Sequence, residues 1–356
     1  MHNTNTRTKA QINNLIGRNQ LNNIKNVKSK SPLLNLGQYK RTYWCVENLF
    51  ELMQGHRQIK FAWQEFGVNA ETVSSNLALL QNSTFVHPNA YNMANGLAAT
   101  NYYVIKINKI TIHLYFTHSL DKDKLDREIK KLILALKKFF MMNSYLLSKD
   151  KTLYISFFDL SLKLSLSGDL TPNNLNSGYT FVYDNDKINR IVIYRKDKRL
   201  KVLLHELCHA FDLQLFSQQF IDELELFINQ NFSVLTVNNQ IDRILIKETI
   251  AEFLGVYFKV LIENNARSPS VIHKELNNEF KSYIKMSNTI LKTHKVGSLM
   301  ELYKRSPQYN PSIYLTQKTN AFSYYILTAL FLKNYQYILY NEKHDMGVLI
   351  KLMFGI

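Results

Sequence analysis

The sequence predicts an α+β protein in which a strand-rich half is followed by a helical half. Runs of β-branched and aromatic residues are confined to about residues 102–196, and amphipathic patterns with helical spacing dominate the remainder. The chain has 356 residues, of which 46% are hydrophobic and 12% aromatic. This is enough apolar material for one large core or for two domains.

The N-terminal region changes character along its length. Residues 1–38 are rich in Asn and predict a flexible basic arm, because residues 1–42 hold eight Lys or Arg and no acid. Residues 39–100 predict a small helical lead-in. Its apolar residues follow helical spacing over Thr42–Gly67 and, after an Asn cap, over Asn69–Gln81.

Charge and cysteine content bear on partners and compartment. The net charge of +16 is partly a property of the arm, so we expect only a weak contact with polyanions, through residues 1–41. Cys45 and Cys208 are the only cysteines, which suits a reducing compartment. The N-terminus has no apolar signal core, and no apolar run is long enough to span a bilayer. We therefore expect a soluble intracellular protein, cytoplasmic or virion-associated, without a signal peptide.

Residues 101–217 contain the predicted strands. YYVIKIN and ITIHLYF form an expected hairpin around Asn108 and Lys109, followed by an amphipathic helix over Asp121–Leu147 and a strand over Thr152–Phe158. GYTFVYD and RIVIYRK flank the turn NDKIN and predict a second hairpin. A further helix is expected from Lys198 to about Phe216.

Residues 218–356 are expected to be mostly helical. No internal repeat interrupts the pattern. The predicted helices cover about residues 218–229, 241–263, 270–294 and 320–340.

The segment HELCH within the helix after the second hairpin predicts a metal site. His205 and His209 stand four residues apart, so both imidazoles lie on one helix face and can bind one tetrahedral Zn²⁺ ion. Glu206 is turned by about 100° and suits a general base better than a ligand. The alternative is an ordinary helix with two histidines on a wet face, but this helix is strongly apolar. Cys208 is interpreted as a small buried hydrophobic residue.

A catalytic zinc site usually has three protein ligands, so one more is needed. A third histidine six residues after the second is excluded, because Leu215 stands there. Glu248 and Glu252 lie on one face of a later helix with Ala251 and Gly255, whose small size would let that helix press close to the motif helix. Spacing leaves open which glutamate is the ligand, and both could instead belong to a solvated stripe.

HELCH followed by ETIAE resembles the gluzincin metallopeptidases, nearest in motif form to the anthrax-lethal-factor-like and thermolysin-like catalytic domains. The resemblance implies a zincin-like two-lobed catalytic domain. The first lobe, residues 101–217, would hold a small mixed sheet and the active-site helix, and the helical second lobe, residues 218–356, the third zinc ligand. It further implies Glu248 as that ligand, with Glu252 orienting a zinc histidine from behind.

The activity implied by this resemblance is zinc-dependent hydrolysis of a peptide or protein substrate, with Glu206 as general base. The alternative is a zinc-binding protein of the same fold without peptidase activity, either another amide hydrolase or an inactive structural remnant. In the family an edge strand near the motif pairs with the bound peptide, and GYTFVYD or RIVIYR could supply it.

The group that would stabilise the oxyanion has to be sought downstream of the predicted ligands. Family members carry a Tyr shortly before the ligand Glu, whereas residues 238–241 contain none. Tyr314, Tyr324 and Tyr325 are the downstream candidates, of which Tyr324 and Tyr314 are preferred. Asp212 is expected on the face of the two histidines, where it would orient an imidazole or form an ion pair at the cleft.

Overall fold

The computed structural model describes most of the chain after residue 58. The described residues are 46, 49, 59–81, 86–166, 169–182, 187–236, 244–264, 268–341 and 343–355. The predicted basic arm (1–38) and its polyanion contact (1–41) lie outside them, as does most of the first predicted lead-in helix. Within the described ranges, no helix is both long and apolar enough to cross a membrane.

The strands and helices that were predicted after residue 100 are present in the predicted order, together with elements that were not predicted. The strands are β1 (Phe61–Phe66), β2 (Ala99–Ile107), β3 (Ile110–His118), β4 (Lys151–Leu160), β5 (Gly178–Val182), β6 (Ile188–Arg195), β7 (Val234–Thr236) and β8 (Leu315–Gln317). The helices are α1 (Ala70–Gln81), α2 (Ala90–Asn95), α3 (Lys122–Met142), α4 (Pro172–Leu175), α5 (Arg199–Ala210), α6 (Gln218–Asn231), α7 (Ile246–Glu263), α8 (Pro269–Thr293), α9 (Thr328–Lys333), α10 (Tyr335–Tyr340) and α11 (Met346–Phe354). Short 3₁₀ turns cover Ser144–Ser148 and Leu299–Glu301, and a π-helical turn covers Phe322–Leu327.

Six strands form one mixed sheet in the order β1-β2-β3-β4-β6-β5. The β3/β4 and β4/β6 pairs are parallel, and the remaining pairs are antiparallel. The predicted mixed α and β architecture is therefore confirmed. Strand β6 is paired on both sides, whereas β5 lies at the edge of this sheet.

The sheet separates two apolar clusters, because alternate residues of a strand face opposite sides. In β4, Phe157 belongs to the main core with α3, α5, α7 and α8, whereas Phe158 belongs to a smaller cluster with α1 and α2. In β6, Ile193 and Tyr194 divide in the same way. The motif helix α5 is thus held on the face of the sheet that carries the larger core.

One predicted helix is wrong at its C-terminal end. Phe61–Phe66, inside the expected helix Thr42–Gly67, is an edge strand paired with β2 from Phe61 opposite Ile107 to Phe66 opposite Tyr102. Three of its six residues, FAWQEF, are aromatic, and aromatic residues favour strands. Short segments of this kind fit both periodicities, so the pairing partner decides the structure.

The motif helix ends at Ala210, six residues before the predicted end. Asp212 adopts a left-handed conformation with φ of 47°. The amide of Leu213 donates to the carbonyl of Cys208 at 2.9 Å, and the amide of Asp212 donates to that of His209 at 3.1 Å. This is a Schellman motif, in which Asp212 takes the position usually held by Gly.

The last predicted helix, 320–340, is also interrupted. It consists of the π-helical turn followed by α9 and α10. The hydroxyl of Ser323 donates to the carbonyl of Leu245 at 2.9 Å, which ties the π-helical turn to the start of α7. Pairing of β7 with β8 and helix α11 were not predicted from the sequence.

Candidate metal centre

Helix α5 is buried on nearly all sides, which explains its apolar sequence. Its first residue, Arg199, is buried and pairs with Asp159 of β4 at 2.6 Å, so the start of the helix is anchored to the sheet. Leu203 and Leu207 lie in the main core. His205 and Glu206 are only 6% and 5% exposed, so these polar side chains need partners within the protein.

Helix α7 crosses α5 at very short range, as its small residues predict. A Cβ atom at Gly255 would lie 3.0 Å from the backbone nitrogen of His205 and 3.1 Å from its Cα. Glycine is therefore required for this approach. Glu252 and Glu248 stand three and seven residues before Gly255, so the crossing carries both carboxylates to the histidines.

Three side chains converge at one point. The Nε2 atoms of His205 and His209 are 3.1 Å apart, and Oε2 of Glu248 lies 3.7 Å from the first and 3.4 Å from the second. Their potential ligand atoms all lie within 4.8 Å of one another, so this group could hold a metal ion. Two imidazole nitrogens and a carboxylate oxygen facing one another require a proton or a metal cation between them.

The charges in this group depend on each other. Burial disfavours a charge on His209, but the Glu248 carboxylate outweighs burial and raises the pKa of His209 to about 9. Burial likewise opposes ionisation of Glu248, but His209, together with His205, lowers the pKa of Glu248 to about 2. The site is thus arranged to keep Glu248 ionised and to place positive charge beside it.

Glu252 lies behind His205 and does not face the Nε2 atoms. Its Oε2 is 3.0 Å from Nδ1 of His205, and Nζ of Lys201 is 2.8 Å from each of its two oxygens. The hydroxyl of Tyr283 also donates to Glu252. Burial favours the neutral acid, but Lys201 and His205 hold the pKa of Glu252 well below its usual range. With Nδ1 donating to Glu252, Nε2 of His205 is left to accept a cation.

The carboxylate of Glu206 points toward the sheet edge. The hydroxyl of Thr180, on β5, donates to Oε2 of Glu206 at 2.7 Å. Thr180, Lys201 and Tyr283 were all missed at the sequence level. Only Lys201 had a local signal, since it stands one helical turn before His205 on the same face.

Of the candidate tyrosines, Tyr324 lies at the cluster. It belongs to the π-helical turn, its ring contacts His205 edge-on at 5.9 Å between centroids, and its hydroxyl is hydrogen-bonded to Glu248. Burial and the Glu248 charge raise the pKa of Tyr324 well above its ordinary value, so it remains a hydrogen-bond donor. Tyr325 lines the adjacent cleft, whereas Tyr314 precedes β8, is 51% exposed and is not among the residues lining that cleft.

Asp212 does not share the helix face of the histidines, because α5 ends before it. Its carboxylate accepts a hydrogen bond from Gln214 at 2.9 Å, and it is exposed. Its charge still contributes to the raised pKa of His209, after the larger effect of Glu248. Cys208 is buried, as predicted, and its thiol donates to the carbonyl of Leu204 at 3.1 Å.

A small cleft opens beside the cluster, on the side of the sheet edge. It is lined by Asn176, Ser177, Gly178, Lys201, Glu206 and Tyr324, among others. A ligand in this cleft would contact both the start of β5 and Tyr324.

The comparisons with known proteins give no family. No family model matches the chain, and searches of curated proteins and of solved structures found no match. Any functional assignment therefore depends on the geometry of the centre itself.

Proposed function

We propose that this chain is a zinc-dependent metallopeptidase with a zincin-like fold, in which His205, His209 and Glu248 bind one Zn²⁺ ion. The supporting observation is the set of three separations between their ligand atoms, 3.1, 3.4 and 3.7 Å. Ligand atoms at about 2.0–2.1 Å from a tetrahedral zinc ion lie about 3.4 Å apart. The side chains thus already have nearly the spacing that zinc requires.

The chemistry of the donors supports the same choice. Two imidazoles and one carboxylate are a common ligand set of catalytic zinc, which keeps its fourth position open. The Glu252 carboxylate behind His205 and the Lys201 ammonium behind Glu252 fix the orientation of this imidazole. Partners of this kind are usual around zinc histidines and raise their affinity for the ion.

The proposed reaction is hydrolysis of a peptide bond. When bound, zinc acts as a Lewis acid that polarises the carbonyl group and makes water more acidic. Glu206 takes the proton of the attacking water on its carboxylate and delivers it to the leaving amine. As the carbonyl oxygen becomes negative, the Tyr324 hydroxyl leaves Glu248 and donates its hydrogen bond to that oxygen instead.

The edge of the sheet supports a peptide as the substrate. Strand β5 is an edge strand next to Glu206, and its start lines the cleft. An extended peptide can pair with such a strand through backbone hydrogen bonds. Strand β6, the other predicted candidate, already has a neighbour on each side and cannot take one.

The test measures bound zinc and cleavage of a mixed peptide library for the wild type, Glu206→Gln and Glu248→Ala. We expect Glu206→Gln to retain zinc and lose activity, because it removes only the base. Glu248→Ala should lose both zinc affinity and activity. Glu263→Ala is a matched control, since Glu263 ends the same helix and its side chain is 49% exposed.

Three results would contradict the proposal. Full activity in Glu206→Gln would exclude this residue as the base. Undiminished zinc binding in Glu248→Ala would exclude it as a ligand. One equivalent of zinc in the wild type with no cleavage of any peptide would leave a metal-binding protein without peptidase activity.

A further inference from the structure

The carboxylate of Glu206 is held by the edge strand rather than by its own helix. Thr180 donates its hydroxyl proton to Oε2 at 2.7 Å, and Glu206 is only 5% exposed, so water cannot easily replace this bond. A hydrogen bond to a buried carboxylate is among the stronger ones in proteins, since one partner is charged. It restricts the rotation of a side chain that otherwise has three free torsions.

The same strand leaves space at the other carboxylate oxygen. Gly178 stands two residues before Thr180 in β5, so both residues face the same side of the sheet. A Cβ atom at Gly178 would lie 3.4 Å from Oε1 of Glu206, and 2.8 Å from both the carbonyl oxygen of Val192 and Cγ1 of Val202. Strand β5 therefore binds one oxygen of Glu206 through Thr180, and at Gly178 it places no side chain beside the other.

We propose that Thr180 is a positioning residue that fixes Glu206 for proton transfer, with Oε2 bound to Thr180 and Oε1 left to accept the proton. This inference rests on the proposed peptidase function. The role of Thr180 also links substrate binding to the general base, because β5 both holds Glu206 and is the edge strand with which a peptide would pair. Thr180 itself need not touch the substrate.

The test compares Thr180→Val, which keeps the shape and removes the hydroxyl, with Thr180→Ser, which keeps the hydroxyl. We expect Thr180→Val to lower kcat about ten- to a hundred-fold, the usual effect of losing a hydrogen bond to a charged group. KM and zinc content should stay near wild type, because neither the cleft nor the ligands change. Thr180→Ser should restore most of kcat.

Thr111→Val is the matched control. Thr111 is a half-buried residue of β3 in the same sheet, and it lies outside the cleft. It should leave kcat and KM unchanged. Crystal structures of the wild type and of both Thr180 variants give a second readout. We expect one orientation of the Glu206 carboxylate in the wild type and in Thr180→Ser, and several orientations in Thr180→Val.

The inference is overturned if Thr180→Val keeps kcat within about two-fold of wild type, or if Thr180→Ser loses as much as Thr180→Val. A single unchanged orientation of Glu206 in the Thr180→Val crystal would overturn it as well. Failure of the proposed function looks different: either the wild type would cleave no peptide, or Glu206→Gln would be as active as the wild type. If Glu206→Gln is inactive while Thr180→Val is fully active, the positioning role of Thr180 is rejected and the proposed peptidase function is not.

Discussion

Two side chains of the centre, His205 and Glu206, are oriented by partners on other elements. Nδ1 of His205 is bound by Glu252, and Glu252 in turn by Lys201 and Tyr283. Glu206 is held by Thr180 of the sheet edge. A buried polar group without a partner would cost free energy, so these contacts are needed for stability as well as for geometry.

The pKa of His209 predicts how metal affinity depends on pH. In the metal-free protein this pKa is raised to about 9, and a histidine must be neutral to bind a metal ion. Below pH 9 zinc therefore has to displace a proton, and its apparent affinity should fall about ten-fold per pH unit as the pH decreases. Competition with a chromophoric chelator at pH 6.5, 7.5 and 8.5 measures this slope.

The released proton provides an independent check on the same prediction. Calorimetric titration with zinc in buffers of different ionisation enthalpy should show close to one proton released at pH 7.5. An affinity that does not change between pH 6.5 and 8.5, after correction for the chelator, would show that His209 is already neutral.

At the scale of elements, the contact between α5 and α7 determines the centre. The motif helix is fixed to the sheet at Arg199 and ends in the Schellman turn at Asp212. Helix α7 then crosses it at Gly255, close enough to deliver Glu248 and Glu252. A small change in the distance between the two helices should therefore change the metal site directly.

Gly255→Ala should lower both stability and zinc affinity. In an ordinary helix this change stabilises by about 1 kcal/mol. Here the new methyl group meets backbone atoms of His205 at 3.0–3.1 Å, and such overpacking costs roughly 1–3 kcal/mol. We expect a net loss of about 1 kcal/mol in the free energy of unfolding of the metal-free protein, together with weaker zinc binding.

Chemical denaturation and zinc competition measure these two effects. Gly67→Ala is the control, because a Cβ there meets nothing within 4 Å. It should change the free energy of unfolding by less than about 0.5 kcal/mol. A Gly255→Ala variant that is more stable and binds zinc with unchanged affinity would contradict this prediction. It would mean that α5 and α7 can move apart for the methyl group without a cost in free energy.

At the scale of the whole molecule, the centre joins parts of the chain that are far apart in sequence. His205 and His209 come from α5, Glu248 comes from α7, and Tyr324 comes from the turn before α9. The sheet contributes Thr180. A metal ion bound here would connect the strand-bearing half with the helical half, and so would favour the folded state of both.

Zinc should therefore stabilise the folded protein against unfolding. An ion that binds only the folded state at about one hundred times its dissociation constant contributes about 2.7 kcal/mol. The thermal midpoint of the wild type should rise by several degrees with zinc and return to its starting value with a chelator. Glu248→Ala should lose most of this rise, and Glu263→Ala should keep it.

Thermal scans of the three proteins with and without zinc decide this point. An equal rise in Glu248→Ala and the wild type would mean that the ion binds elsewhere. No rise in the wild type would mean that the cluster does not bind zinc at the concentrations used.

Local patterns in the sequence determined the parts of this protein that depend on short spacing. Helical periodicity places His205 and His209 on one face of α5 and turns Glu206 away from that face. It also places Glu248 and Gly255 on one face of α7. The order of the strands from β2 to β6 and of the long helices followed from the same kind of reasoning. The end of α5 could not be predicted in this way, because an Asp does not by itself indicate a left-handed turn. Strand β1 could not be predicted either, because a short aromatic segment fits both a helix and a strand until its pairing partner is known.

Only the tertiary structure decided which distant residues meet. It brings Glu248 to the two Nε2 atoms and Glu252 to Nδ1, a choice that spacing left open. It also brings Tyr324 to the cluster, leaves Tyr314 outside the cleft, and supplies Thr180 as a partner for Glu206. The physical reason is that helical spacing sets the face of a side chain, whereas its partner depends on how helices and sheet pack across long stretches of chain.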